Sequence, residues 1–315
     1  MTRVVTLGPG TEHLGPAVAA MGVFDGVHIG HQALVQAAIQ QARQRDVAPV
    51  VLTFDRDPDR VVRPENAAPQ LLELEDKIEF LCALGPEVVL VVPFDAPIAA
   101  MSPEVFFERV VLSTFDPVAF VVGHDFRFGH KAAGDVDTLS ALGALHGFAV
   151  TAHPLVTADG APITSTRIRA LLAHGRVEDA ALLLGRPHRV RGCVVHGRGR
   201  GVVLGVPTAN VRPHSYAAVP ADGVYSARAI VGGKTYDAAV SAGAPPSFPG
   251  SQDVVEVHLL GFDGGELHGE EIAVDFVARI RDLRAFDSTR DLVAAIRHDI
   301  EAARSTLRAA GTAET

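Results

Sequence analysis

The first half of the chain alternates short apolar runs with segments of helical spacing, and this alternation constrains the fold more than any other feature. The apolar runs have the length of buried strands and cover residues 17–23, 49–54, 88–94, 118–123 and 147–153. The helical patterns between them cover residues 31–45, 74–84, 103–113 and 136–145. This order predicts an α/β fold with a parallel sheet and helices on both faces, whose ligands bind at the carboxyl ends of the strands.

The pattern changes near residue 184. Two helical stretches, 165–174 and 177–184, close the first half. Short runs rich in Val, Thr and Tyr then alternate with Gly, Pro and Asp-Gly turns, over residues 189–196, 224–231, 235–241, 254–262 and 271–281. They predict an antiparallel barrel or sandwich, followed by an amphipathic helix over residues 289–310. We therefore predict two domains, 1–184 and 185–315, each long enough to bury a core.

Composition and charge exclude several classes of protein. A net charge of −9 argues against a general nucleic-acid binder, and no run approaches the ~18 apolar residues of a membrane span. The apolar run at the N-terminus is too short for a signal peptide, and two cysteines build neither a disulfide framework nor a zinc cluster. The sequence predicts a cytoplasmic protein with small-molecule substrates and no nucleic-acid or membrane partner, and it leaves the oligomeric state open.

Residues 22–31 read GVFDGVHIGH and join a predicted strand to a predicted helix. A helix N-terminus offers unpaired N–H groups and a partial positive charge, both of which favour phosphate. His28 and His31 can donate hydrogen bonds to phosphoryl oxygens as charge builds in a transition state. Three glycines let the backbone approach a ligand closely: Gly22, Gly26 and Gly30. A lone His-x-x-His pair is more often structural than catalytic. The interpretation as a strand–helix turn whose polar residues only cap the helix therefore remains an alternative at this point.

Two further segments favour a nucleotide site over a simple turn. Residues 123–135, GHDFRFGHKAAGD, follow a predicted strand and mix Asp125 and Arg127 with aromatic rings, which suits a planar ligand with a polar edge. Residues 163–172, ITSTRIRALL, place three hydroxyls and two arginines at a helix entry. These groups are typical of a triphosphate clamp, although an N-cap formed by Thr164 or Ser165 also explains the hydroxyls.

The second half carries a glycine-rich segment that ends in Pro-Thr-Ala-Asn, over residues 194–211. Glycines alone indicate no more than a tight barrel corner. Thr208 and Asn210 lie two apart on an extended segment, so their oxygens point the same way and suit Mg²⁺ with nucleotide phosphates. Glu256 lies on a predicted strand with His258 on the same face, where a carboxylate can take a proton from an attacking hydroxyl. Taken alone, Glu256 is better explained as a solvent-facing strand residue.

The three N-terminal motifs together resemble the adenylyltransferase module of prokaryotic bifunctional riboflavin kinase/FAD synthetases. That family shows Gly-x-Phe-Asp-Gly-x-His-x-Gly-His, then Gly-x-Asp/Asn-Phe-x-Phe-Gly, then Ile-Ser-Ser-Thr-x-x-Arg, in this order. The resemblance implies a Rossmann-like nucleotidyltransferase domain in which FMN attacks the α-phosphate of ATP, FAD forms and pyrophosphate leaves. It implies catalytic roles for His28, His31 and Arg167. It further implies ATP contacts from Gly22, Phe24, Asp25, Gly26, Gly30, Ser165 and Thr166, and flavin contacts from Asp125, Phe126, Arg127 and Phe128.

The second half resembles the riboflavin kinase module of the same family. The matching segments are His196-Gly-x-x-x-Gly201, Leu204-Gly-x-Pro-Thr-Ala-Asn210, Gly223-Val-Tyr225, Glu256 within its strand, and Phe286-Asp-Ser before a helix. The resemblance implies a six-stranded Greek-key barrel with a C-terminal helix, which transfers the γ-phosphate of ATP to the 5′-hydroxyl of riboflavin. It implies that Thr208 and Asn210 hold Mg²⁺ with ATP and that Glu256 is the base. Further ATP contacts are implied for His196, Gly197, Gly201 and Gly205.

The barrel half also departs from the family pattern at three places. Residues 241–250 read SAGAPPSFPG where the family shows Asn-x-Gly-x-x-Pro-Thr-Phe, His268 replaces a usual Tyr, and Leu283 replaces a frequent Glu. The leading hypothesis is a bifunctional enzyme that makes FMN and then FAD. The alternative is an FAD synthetase whose barrel is a weak kinase or only a flavin-binding module. A flavin-responsive regulatory protein without turnover is disfavoured, since binding alone needs neither a base nor a transition-state clamp.

Overall fold

The structure is a computed structural model that describes residues 1–197, 205–243 and 255–313, with side chains up to residue 310. Its contacts divide the chain into two compact units, Met1–Thr164 and Ser165–Thr315. The predicted domain boundary between residues 184 and 185 stays a prediction.

The first unit is built on a six-stranded parallel sheet. Its strands are β1 (Arg3–Thr6), β2 (Pro16–Met21), β3 (Ala48–Phe54), β4 (Val88–Val92), β5 (Asp116–Gly123) and β6 (Ala149–His153). Their spatial order is β1-β4-β3-β2-β5-β6, with every neighbouring pair parallel. The five predicted strands are confirmed. The strand β1 was not predicted, because an edge strand with mostly exposed side chains shows no continuous apolar run.

Helices cover both faces of this sheet, as predicted. They are α1 (Ile29–Arg45), α2 (Asp59–Val62), α3 (Leu74–Ala83), α4 (Ala96–Ala99), α5 (Pro103–Phe106) and α6 (Val136–His146). One core cluster holds Leu34, Val35 and Leu81, which belong to α1 and α3. The other collects the phenylalanines of residues 106–148. The predicted helix over 103–113 is α5 followed by a wider π-type turn, Phe107–Val111, and the first unit ends in a hairpin of β7 (Thr157–Ala158) and β8 (Ala161–Pro162).

The second unit is a closed six-stranded antiparallel barrel, as the family resemblance implied. Its strands are β9 (His188–Val195), β10 (Ala209–Pro213), β11 (Gly223–Val231), β12 (Lys234–Ala242), β13 (Val255–Leu259) and β14 (Glu271–Arg281). The closed order is β10-β13-β12-β11-β14-β9. Sequence analysis did not assign β10 as a strand, since its five residues include Asn, Arg and Pro and lack an apolar run.

Within the described part of the second unit, three helices accompany the barrel: α7 (Ser165–Ala173), α8 (Val177–Leu184) and α9 (Thr289–Ala313). Arg279 of β14 joins the first two to the barrel, since its backbone N–H donates to the carboxylate of Glu178 at 3.0 Å and its guanidinium to the carbonyl of His174 at 3.2 Å. Arg281 and Asp299 form two hydrogen bonds of 2.9 and 2.7 Å, which fasten α9 to β14. Within the described ranges, no helix combines the length and the apolar character needed to cross a bilayer.

Two candidate nucleotide sites

The strand order of the first unit reverses between β2 and β5. β3 and β4 lie on one side of β2, and β5 and β6 lie on the other. Ligands of open α/β sheets bind in the crevice at such a reversal, outside the carboxyl ends of the strands. The segments that leave β2 and β5 there are residues 22–31 and 123–135, so the fold brings two of the three N-terminal motifs to the same sheet edge.

The turn over residues 22–28 is held in a strained conformation. Phe24 and Val27 have φ angles of 54° and 42°, in the left-handed region that non-glycine residues avoid. Such strain costs of order 1–3 kcal/mol per residue and persists only where the surroundings enforce it. Asp25 supplies one restraint, because its buried carboxylate accepts hydrogen bonds from the backbone N–H groups of Leu71 at 3.0 Å and Leu72 at 3.3 Å. The structure thus gives Asp25 a bracing role; its predicted ATP contact stays a prediction.

His28 caps α1 with its own side chain. Its Nδ1 accepts a hydrogen bond from the backbone N–H of His31 at 3.2 Å. An atom that accepts from an N–H carries no proton, so neutral His28 bears its proton on Nε2. That Nε2–H is the kind of donor that stabilises charge on a phosphoryl oxygen. His28 therefore provides both the helix cap expected of a structural turn and the hydrogen-bond donor expected of a nucleotide site.

His31 lies directly against His28, with ring centroids 3.5 Å apart and planes inclined by 17°. Burial holds the pKa of His31 well below its usual value, and the nearby His28 and Lys77 lower it further. Among the residues that the structure describes, none pairs with its buried Nδ1. The stacked pair therefore combines a positioned Nε2–H donor with an imidazole that stays neutral at physiological pH.

The segment after β5 places its predicted flavin contacts at different depths. Asp125 and Arg127 are exposed, whereas Phe128 is only 8% exposed and belongs to the core cluster under α5 and α6. Phe126 is half-buried and stacks on Phe128 with centroids 5.3 Å apart. The buried ring of Phe128 thus packs against the core side of the Phe126 ring. The flavin contacts of all four residues remain predictions.

Residues 165–172 of the third N-terminal motif lie at the start of the second unit. Ser165, Thr166 and Arg167 form the first turn of α7, and Ile168 then buries its side chain. The predicted helix entry is thereby present, and the predicted phosphate contacts of these three residues are untested.

The barrel places Asn210 directly opposite Glu256 in the register of β10 and β13. Ser241 of β12 flanks Glu256 on its other side. The neighbouring Val255 and Val257 are buried, so Glu256 alternates away from the barrel core. Burial raises the pKa of Glu256, which makes its carboxylate a stronger base than an exposed one. The amide oxygen of Asn210 and the hydroxyl oxygen of Thr208 are hard oxygen donors, which Mg²⁺ prefers, so the two predicted ligands fit the ion.

Pro207 precedes the predicted metal ligand Thr208 and is held by β13. The carbonyl of Pro207 lies 2.7 Å from Nδ1 of His258. A carbonyl only accepts, so this nitrogen carries a proton and donates. His258 lies two residues after Glu256, on the same face of the strand. Sequence analysis noted that shared face but not the contact, since nothing in the residue pattern links His258 to position 207.

The remaining predicted ATP contacts of the barrel follow β9 or precede β10. His196 directly follows β9, and its ring stacks on His268 with centroids 3.5 Å apart. Gly197 lies so close to the amide of Asn210 that a Cβ would occupy the same space. Gly205 turns the chain with a φ of 74° before β10. Gly201 lies outside the described residues, as do positions 244–250 of the departing segment.

Both halves of the chain match known protein families. Residues 11–167 match the family model of FAD synthetase, and residues 184–307 match that of riboflavin kinase. A Haemophilus influenzae bifunctional riboflavin kinase/FMN adenylyltransferase is 34% identical over 286 residues, covering 90% of this chain and 92% of the relative. A Bacillus subtilis protein of the same description is 35% identical over 293 residues, covering 91% and 92%.

Among solved structures, the crystal structure of a macrolide-efflux protein from Streptococcus pneumoniae superposes with a TM-score of 0.83 and 30% identity. The superposition covers 96% of this chain and 98% of that one, so the fold is shared along nearly the whole length. Fold and matches define a class of protein in which an FAD synthetase module on a parallel sheet precedes a riboflavin kinase module on a barrel. The chain belongs to the family of bifunctional riboflavin kinase/FMN adenylyltransferases.

Proposed function

We propose that the protein phosphorylates riboflavin to FMN and then adenylylates FMN to FAD, with ATP as the donor in both steps. The observation that supports this most is the match of two different family models to the two halves, each of which carries its own candidate site. The stacked imidazoles suit adenylyl transfer, and the pair Asn210–Glu256 suits phosphorylation of a hydroxyl.

In the adenylyl transfer, a phosphate oxygen of FMN attacks the α-phosphorus of ATP. The new P–O bond forms as the bond to the pyrophosphate oxygen breaks. Nε2–H of His28 donates to the α-phosphoryl oxygens, where negative charge grows, and neutral His31 packs against that ring. We assign the outgoing phosphates to the hydroxyls of Ser165 and Thr166 and to the guanidinium of Arg167. Positioning and electrostatics account for most of the acceleration in such transfers, so no covalent enzyme intermediate is needed.

In the kinase step, Glu256 accepts the proton of the 5′-hydroxyl of riboflavin as its oxygen attacks the γ-phosphorus of ATP. The bond from the γ-phosphorus to the bridging oxygen breaks, and ADP leaves. The raised pKa of Glu256 favours this proton transfer. The oxygens of Thr208 and Asn210 would hold Mg²⁺, which when bound neutralises charge on the phosphates. His258 orients this segment through the carbonyl of Pro207.

The alternative function is an FAD synthetase whose barrel is a weak kinase or only binds flavin. The replacements at His268, Leu283 and residues 241–250 favour it, because they lie in the half that carries the kinase match. We place both reactions in the cytoplasm with small-molecule substrates only, since the acidic composition offers no basic face for nucleic acid.

The test is product analysis with the full chain. Riboflavin, ATP and Mg²⁺ are expected to yield FMN and then FAD by chromatography. FAD that forms only when FMN is supplied would establish the alternative, and no FAD from supplied FMN would refute the adenylyltransferase. His28→Ala is expected to suppress FAD formation while FMN formation survives. Loss of both products in that variant would contradict two separate sites.

A further inference from the structure

Lys77 is a buried cation beside the turn over residues 22–28. It lies in the first turn of α3 and is only 4% exposed. Its Nζ donates to the carbonyl of Phe54 at 2.6 Å and lies 3.4 Å from the carbonyl of Val23. Phe54 ends β3, and Val23 lies just beyond the end of β2. One ammonium group thus joins the carboxyl ends of two adjacent strands at the sheet edge where the first site lies.

The contact with Val23 restrains the strained turn at its start. Val23 precedes Phe24, the first of the two residues with a positive φ. The carbonyl of Val23 also accepts a hydrogen bond from Oγ1 of buried Thr53 at 3.0 Å. The carboxylate of Asp25 is held separately by backbone N–H groups, so the turn is anchored on both sides of Phe24. Backbone strain at a site persists only through such over-determination.

The buried charge of Lys77 lowers the free energy of unfolding relative to an apolar residue at the same position. Burial lowers the pKa of Lys77 to about 8, against the opposing attraction of the carboxylates of Asp25, Asp57 and Asp55. A buried ammonium pays a desolvation penalty, which well-packed apolar residues of similar volume avoid. Methionine has similar length and would fill the space without this penalty. The retained charge therefore requires an explanation beyond packing.

The position of the charge supplies that explanation. Lys77 is one of the groups that lower the pKa of His31, after burial and His28. Its ammonium thus acts on the site in two ways, by fixing backbone carbonyls and by disfavouring protonation of an imidazole. A protonated His31 would place a cation against the ring of His28, 3.5 Å away.

We propose that Lys77 is a positioning residue of the adenylyl-transfer site: it holds the turn over residues 22–28 so that His28 presents its donor, and its charge disfavours a second cation at His31. Lys77 acts through these residues and does not touch the substrate. The inference rests on the proposed function, because it assigns a role within that reaction.

The test begins with Lys77→Met in the full chain. We expect kcat for FAD formation from FMN to fall on the order of 10²-fold, the scale of a misplaced catalytic group. KM for ATP changes little, since the lost interaction matters in the transition state, and FMN formation stays at the wild-type rate. Lys234→Met removes the same charge from an exposed position at the start of β12 and leaves both activities unchanged.

A second readout separates electrostatics from structure. The pKa of His31, followed by NMR, is expected to rise in Lys77→Met because a neighbouring cation is gone. Thr53→Val removes the other donor to the Val23 carbonyl without changing charge, so it is expected to slow FAD formation while leaving the pKa of His31 unchanged. Wild-type kcat in Lys77→Met, or an unshifted pKa of His31, would overturn the proposal.

If Lys77→Met does not fold, as judged by circular dichroism, Thr53→Val decides: slowed FAD formation supports the anchoring of the turn, and a wild-type rate overturns it. Wild-type protein that forms no FAD would refute the proposed function itself. If the wild-type protein forms FAD and Lys77→Met forms it with the same kcat, only the role of Lys77 is refuted.

Discussion

Gly30 is the residue at which a single methyl group tests the geometry of the first site. It is the second residue of α1, and a Cβ there would lie 3.1 Å from Cε1 and 3.2 Å from Nδ1 of His28. Carbon atoms in contact prefer separations of about 3.5–4.0 Å, so the ring of His28 must retreat by about 0.5 Å in Gly30→Ala. The absence of a side chain at Gly30 is therefore what lets the imidazole lie over the helix start.

The effect on stability is small because two terms oppose each other. Replacing a helical glycine by alanine gains about 1 kcal/mol. A displaced His28 weakens the hydrogen bond that caps α1, a loss of about 1 kcal/mol. The free energy of unfolding of Gly30→Ala is thus expected to stay within about 1 kcal/mol of the wild-type value.

The effect on catalysis is large because the retreating atom belongs to the catalytic ring. A displacement of this size costs up to about 10²-fold in rate, which corresponds to about 2.7 kcal/mol of transition-state stabilisation. The assay compares kcat for FAD formation from supplied FMN with the rate of riboflavin phosphorylation, which we expect to be unchanged. Gly8→Ala is the matched control, since a Cβ there meets nothing within 4 Å. Wild-type kcat in Gly30→Ala would refute the placement of His28 at the reacting phosphate.

Three further predictions concern the barrel. Glu256→Gln is expected to slow riboflavin phosphorylation by about 10²–10⁴-fold without affecting FAD formation from FMN. Because burial raises the pKa of Glu256, the wild-type kinase rate is expected to fall on acidification at a higher pH than it would with an ordinary glutamate as the base. A pH–rate profile measures this. His258→Leu removes the donor to the Pro207 carbonyl and is expected to raise KM for ATP about fivefold, whereas His258→Asn, which retains a donor at that place, stays near wild type; equal KM values would contradict the orienting role. Buried His188 hydrogen-bonds the Ala218 carbonyl at 2.7 Å, and burial lowers its pKa to about 4. The unfolded state therefore binds a proton first as pH falls, and about 3 kcal/mol of stability present above about pH 6.5 is lost towards pH 4. Guanidinium denaturation at several pH values measures this loss, and His188→Gln, which keeps a donor, is expected to abolish that part of it.

Much of the fold was predictable because its strands are buried in recognisable ways. Strands covered on both faces appear as continuous apolar runs, as in β4, where all five residues are buried. The barrel strands appear as alternating patterns, as in β9, where every second residue is buried. The prediction missed β1 and β10, because an edge strand and a short polar strand carry neither signal.

The candidate sites were predictable in their residue types but not in their contacts. The His-x-x-His spacing placed both imidazoles at a helix start, whereas their stacking depends on the cap that His28 forms and on the missing side chain of Gly30. Lys77 gave no sequence signal at all, since one lysine in a helical pattern is expected to be exposed. Its role depends on the carbonyls of Phe54 and Val23, which lie 23 and 54 residues away from it along the chain. Only the sheet brings these groups together.

The sequence by itself determined the order of the two units, the family, and the side chains available for chemistry at each strand end. Those properties follow from local spacing and residue type, which a linear pattern records directly. Only the tertiary structure decided which of these groups meet: residues 22–31 beside residues 123–135, and Asn210 beside Glu256. The physical reason is that strand order and register depend on how distant segments bury their apolar faces against one another, and no local pattern encodes that pairing.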